Sequence, residues 1–173
     1  MFRKIRNGAI MLAIAASGIA LYGGQAQAEP TPTPVAVEVL TPRASFTDQA
    51  SLQLRVTDGH GTNVIKASDP SHIVTTKATV QPGAQIPWHT HSGPVFVTIA
   101  EGEMTYVSSE GCTSRRYPAG TAFIDPGHGH VHTAYNSGSA VTVFYATFFE
   151  APAGTAPLAI PANAPADCKI PTN

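Results

Sequence analysis

The sequence predicts an all-β protein, with a single sandwich or barrel domain over about residues 37–150. Three observations lead there. Short apolar stretches alternate with period two, fifteen glycines and fifteen prolines punctuate them at close intervals, and no stretch has the spacing of an amphipathic helix. A chain of 173 residues is long enough for one domain with a real core.

The first 28 residues read as a secretory signal peptide. Arg3, Lys4 and Arg6 form a basic start, Ala9 to Leu21 an apolar segment, and Ala26-Gln27-Ala28 a small-residue cleavage site. An uncleaved anchor helix is the alternative. Against it, the apolar segment falls short of the ~20 residues a span needs and is followed by Gly23 and Gly24. Cleavage after Ala28 leaves no stable membrane anchor and moves the net charge from −1 to −4. The predicted destination is the periplasm or the medium outside a bacterial cell. Only 12% of residues are charged, so no basic footprint for nucleic acid is present.

Residues 29–36 (Glu-Pro-Thr-Pro-Thr-Pro-Val-Ala) are a proline-rich spacer. Ser51 to Val56 alternates as a half-buried strand, Asp58-Gly59-His60-Gly61 is a turn, and Asn63 to Lys66 is a short strand. His72 to Val80 is a β-rich strand ending at Gln81-Pro82-Gly83. Val95 to Ala100 and Glu103 to Val107 flank Glu101-Gly102, which reads as a two-residue hairpin turn. That hairpin would pair Val97 with Tyr106 and turn Glu103 outward. Thr121 to Asp125 is a short strand, Pro126 to His132 a glycine- and histidine-rich loop, and Ala140 to Phe149 the last strong strand. Residues 151–173 read as a C-terminal tail.

Export changes the reading of the two cysteines. In an oxidising compartment Cys112 and Cys168 are each other's only partner, and a bridge would tether the tail to the domain. Closing that loop of about 55 residues is worth roughly 4 kcal/mol in the chain-entropy treatment. Two free thiols are the alternative.

The chemistry-bearing residues are histidines. His89 and His91 stand two apart after the Gly83 turn, so in a strand their side chains point into one space. His132 lies in a second Gly/Pro/His-rich stretch that leads toward another strand. Two imidazoles from one strand and a third from its neighbour make an open-sided metal site. His130 shares the parity of His132 and is the alternative third ligand. His60, His72 and His128 read as turn or surface residues, and Trp88 as a packing residue facing away from His89.

These residues resemble the two motifs of the cupin superfamily, small jelly-roll barrels. Gly83, His89, His91 and Gly102 fall on the first motif, with Val95 where that motif carries a glutamate. Gly120, Pro126, Gly129, His132 and Asn136 fall on the second, with one extra residue between Pro126 and Gly129. The resemblance implies a single jelly-roll barrel and a metal held by His89, His91 and His132, with Val95 unable to ligate. It also implies a homodimer.

A neutral three-histidine set leaves a divalent ion its full charge and open positions, which favours a small anionic, chelating partner. Imidazole suits several transition metals, so Fe, Zn, Cu, Mn and Ni all remain open. Val95, Val97, Met104 and Tyr106 are expected on the inner face and make the pocket apolar, suited to a small, partly hydrophobic ligand. Two functions follow from this reading. One is a dioxygenase-like enzyme acting on a small anionic or enolisable compound. The other is a non-catalytic module that binds or senses a small molecule or metal, favoured by the loss of the glutamate and the lack of an obvious acid–base residue.

Overall fold

The computed structural model describes residues 33–58, 61–67 and 69–170, all within the compact unit Pro32–Asn173. The leader, the start of the spacer, and His60 with its turn lie outside the described residues. Among the described residues thirteen strands follow in order: β1 (Val35–Val39), β2 (Ala44–Ser45), β3 (Leu52–Asp58), β4 (Gly61–Ala67), β5 (His72–Val80), β6 (Gln85–Thr90), β7 (Val95–Glu101), β8 (Glu103–Ser108), β9 (Ser114–Pro118), β10 (Ala122–Asp125), β11 (His132–Tyr135), β12 (Thr142–Phe149) and β13 (Ile160–Pro161). Among the described residues helix is confined to one 3-10 turn, Glu110–Cys112.

Two antiparallel sheets face each other as a cupin-like barrel. One runs β1-β5-β12-β7-β10, with β2 also on β5, and the other runs β13-β6-β11-β8-β9. The hairpin β3–β4 forms a separate pair. Burial follows the pleat most clearly in β5, where Val74, Thr76, Ala78 and Val80 are buried in alternation. Between the sheets Val80, Val95, Val97, Ile99, Met104, Ala134 and Ala146 form one continuous core. Asn136 closes the end of that core. Fully buried, it donates to Val80 O and Ala140 O and accepts from Gly138 N, so its side-chain amide is satisfied.

The hairpin expected at Glu101-Gly102 is not a hairpin. β7 pairs with β12 and β10, whereas β8 pairs with β11 and β9 in the opposite sheet. The turn therefore carries the chain across the barrel. Gly102 makes this possible: its φ is +68°, and a Cβ there would lie 2.5 Å from Val141 O. Val97 consequently faces Ala146 and Phe123 across its own sheet, while Tyr106 faces Ala134. Met104 and Tyr106 still line the interior, because each sheet turns its inner face to the same cavity.

Both ends of the domain are better ordered into the barrel than composition suggests. β1 begins at Val35, inside the stretch expected as spacer, and Val35 packs against the core. The tail returns to the barrel, where β13 pairs with β6 and Ala162 N donates to Trp88 O at 3.0 Å. The Cys112–Cys168 disulfide fastens it there, with Cα atoms 5.3 Å apart.

Candidate metal centre

β6 brings His89 to the inner face, and His91 follows one residue beyond the strand's end. His132 opens β11 and is the register partner of His89 on the neighbouring strand. The three rings converge, with centroids 4.2 Å (His89–His132), 4.8 Å (His89–His91) and 5.1 Å (His91–His132) apart. One potential ligand atom from each lies within 4.8 Å of the others. All three side chains are buried.

What orients the rings is a set of oxygen acceptors, one per histidine. Nδ1 of His89 lies 2.7 Å from Pro87 O, and Nδ1 of His91 lies 2.7 Å from Leu158 O. Nδ1 of His132 lies 3.0 Å from Asp125 Oδ2, a close contact without hydrogen-bond alignment. A carbonyl only accepts, so Nδ1 of His89 and of His91 carries the proton and Nε2 keeps its lone pair, and the Asp125 carboxylate beside His132 favours the same tautomer there. This is the arrangement in which protein metal sites hold their imidazoles. The donor set fits a divalent transition metal.

Charge follows from burial. Desolvation, with the neighbouring His132 and His91, holds His89 down at about 4, and burial is also the main cause lowering His91. Both are neutral near pH 7, as ligation requires. Asp125 is the opposite case. Burial pushes its carboxyl up, but His132 and the Tyr106 hydroxyl outweigh that and carry it to about 2. Tyr106 donates to Asp125 Oδ2 at 2.6 Å, and burial beside that carboxylate raises its phenol well above the ordinary value. Gly127 N adds a further bond, to Asp125 Oδ1 at 2.8 Å.

Asp125 corrects the expectation that the cavity holds no obvious acid–base residue. It follows Phe123 with the same parity in β10, and both side chains line the cavity. That parity was the available signal. Pro87 O and Leu158 O offered no side-chain signal, since any residue supplies a carbonyl.

The histidines sit at one side of an apolar cavity of about 160 Å³. Val95, Val97, Met104 and Tyr106 all line it, joined by Phe144 and Phe148. Among the described residues no lysine or arginine does so. The other sequence candidates lie elsewhere. His130 stands outside the cluster, with Nε2 3.3 Å from Ser108 Oγ and Nδ1 3.6 Å from Glu110 Oε1. His128 pairs with Glu150 at 2.6 Å, and His72 lies beside Ser71 and Asp69. Glu103 forms an ion pair with Arg116, away from the cavity. Trp88 is buried against Pro161 and Ala162 on the outer side of β6.

Residues 76–148 match the family model described as "Cupin domain". No curated protein matches the chain. Among solved structures, the Cupin_2 domain of an XRE family transcriptional regulator from Enterobacter cloacae is 15% identical, with TM-score 0.45 over 69% of this chain and 100% of that one. Oxalate oxidase in complex with the substrate analogue glycolate is 19% identical, with TM-score 0.44 over 72% of this chain and 55% of that one. An oxalate decarboxylase of Bacillus subtilis, described for its Mn(II) centres, is 22% identical, with TM-score 0.42 over 47% of this chain and 22% of that one.

Proposed function

We propose that the chain, whose residues 76–148 match the model described as "Cupin domain", is an exported metal-binding cupin of the oxygenase type, acting on a small anionic or enolisable compound. One observation carries the proposal: three buried histidines share a cluster, each with Nδ1 facing an oxygen atom, so three Nε2 atoms are presented together. His89, His91 and His132 would hold the ion. Bound there, it would supply Lewis acidity and open coordination positions.

The protein's own groups define the partner. Imidazole ligands bring no negative charge, and among the described residues no lysine or arginine lines the cavity, so the negative charge of a bound molecule would be met by the metal alone. A second anionic group set against Val97, Met104 or Phe144 would be buried unpaired, at a cost of several kcal/mol. The cavity volume is close to the ~150 Å³ that accepts a benzene ring in an engineered apolar site. The substrate class is therefore a one-headed chelator with a small apolar body, such as a diketone enolate, a phenolate or a thiolate. Tyr106 and Asp125 would position His132 rather than exchange protons with substrate, since both are already bonded to each other. Export is supported by the leader-like first 28 residues and by the disulfide.

Elemental analysis of the purified protein followed by oxygen uptake with diketones, phenols and thiols tests this reading. Failure to bind any transition metal removes it. A second reading is a non-catalytic binding or sensing module, favoured because Asp125, the one carboxylate among the described residues that line the cavity, is already engaged by Tyr106 and Gly127 and faces His132. It predicts ligand-dependent thermal stabilisation without turnover.

A further inference from the structure

We infer that the C-terminal segment 157–162 is a built part of the metal centre, positioning His91 through the Leu158 carbonyl and held in place by the Cys112–Cys168 disulfide. This rests on the reading of the histidine cluster as a metal site and adds a positioning element that no motif residue supplies.

The three histidines differ in what orients them. The acceptor for His89 is Pro87, on its own strand. The group facing His132 is Asp125, at the end of β10 and held by two hydrogen bonds of its own. His91 has neither advantage. It lies beyond the end of β6, and its acceptor is a backbone oxygen 67 residues away in sequence. Its ring is aimed correctly only while that distant segment stays seated.

The segment has few means of seating itself. β13 is two residues long, pairing Ile160 with Thr90 and Pro161 with His89. One further bond, Ala162 N to Trp88 O, extends that contact. Ile160 itself is exposed, and residues 155–157 are exposed as well. So short a ladder is marginal alone. The covalent hold comes from Cys168, bonded to Cys112 in the turn after β8. The bond removes the freedom the tail would otherwise gain on leaving. Because Leu158 and Ala159 also line the cavity, the same segment serves as part of its wall.

The test compares the full-length wild type with the Cys112→Ser/Cys168→Ser double variant and with Ala162→Pro. The last removes the donor to Trp88 O and leaves the disulfide intact. Two readouts are taken. Co(II) affinity is measured by competition with a chromophoric chelator, and the Nδ1-bound protons of the histidines are followed by imidazole nitrogen NMR on metal-free protein. In the double variant Co(II) binding is expected to weaken about 10–100-fold, the usual effect of losing a partner that orients a ligating histidine. The Nδ1 proton of His91 should exchange freely while that of His89 persists, a selectivity that general destabilisation would not produce. Ala162→Pro should shift both readouts in the same direction by less. A folded double variant with unchanged Co(II) affinity and an unchanged His91 proton overturns the inference. If that variant does not fold, Ala162→Pro decides by the same readouts. Should wild type bind no Co(II), the metal reading fails, and the His91 proton comparison still decides the role of the tail.

Discussion

Asp125 Oδ2 lies 3.0 Å from Nδ1 of His132, and both side chains are almost fully buried. The carboxylate also receives the Tyr106 hydroxyl and the Gly127 amide, so its position is set from three sides. Asp125→Asn keeps the shape and removes the charge. Its amide can present either a donor or an acceptor to His132, so the imidazole loses its fixed tautomer. Metal affinity is expected to fall about 10–100-fold, measured by chelator competition, with the fold retained. Tyr106→Phe leaves the carboxylate facing His132 and should have a smaller effect. Equal affinity in wild type and Asp125→Asn would mean that His132 is not oriented by this contact.

The third ligand is decided by a pair of substitutions. His132 lies in the cluster, whereas His130 bonds Ser108 and faces Glu110. His132→Ala should abolish tight metal binding, and His130→Ala should leave it within about threefold, because His130 supplies no ligand atom. Isothermal titration with Zn(II) separates the two. The reverse pattern would place the ion at His130, whose ring lies 6.2 Å from that of His132.

How much of this was legible in the sequence depends on the kind of information each feature carries. The parity of His89 and His91 is local, and so is the Gly/Pro punctuation that frames His132, and both can be read directly. The strands at His72–Val80 and Thr142–Phe149 are equally plain in their runs of β-branched and aromatic residues. Partnering is different. The pattern of β7 and β8 is the same whether they pair with each other or with β12 and β11, and nothing in Glu101-Gly102 distinguishes a hairpin from a crossing between sheets. The Leu158 carbonyl is the extreme case, since a backbone oxygen leaves no mark on residue identity.

Stability of the metal-free protein should fall in mild acid, and the sign follows from His89. Its pKa is about 4 in the folded chain against an ordinary 6.5. Between those values the unfolded chain binds a proton that the folded chain excludes, so unfolding is favoured as pH drops. The contribution is fully present above about pH 6.5, is lost progressively toward pH 4, and amounts to about 3 kcal/mol. His91 shifts in the same direction and adds to it. Asp125, depressed from 3.8 to about 2, extends the loss to still lower pH. Urea midpoints across this range in the presence of a chelator should show the slope, and His89→Gln should flatten it. A midpoint independent of pH from 7 to 4 would contradict the burial of neutral imidazoles.

The strongest single manipulation of the site is Val95→Glu. Val95 is buried at the start of β7, on the cavity wall with the histidines, where the cupin motif carries its glutamate. Without metal, the new carboxyl is desolvated among Val97, Phe148 and neutral rings. It must either take up a proton or destabilise the fold by several kcal/mol, so the metal-free Tm should fall. With metal, the same carboxylate becomes a fourth, anionic ligand. A hard oxygen donor favours Mn(II) more than three imidazoles do. The Tm gained on adding Mn(II) should therefore be larger in Val95→Glu than in wild type. Affinity for a monoanionic chelator should move the other way, because the protein now supplies the charge that the small molecule otherwise brings. A variant that loses stability and recovers none of it with Mn(II) would show that Val95 does not face a metal, and with it the cluster would lose its claim to be a coordination site.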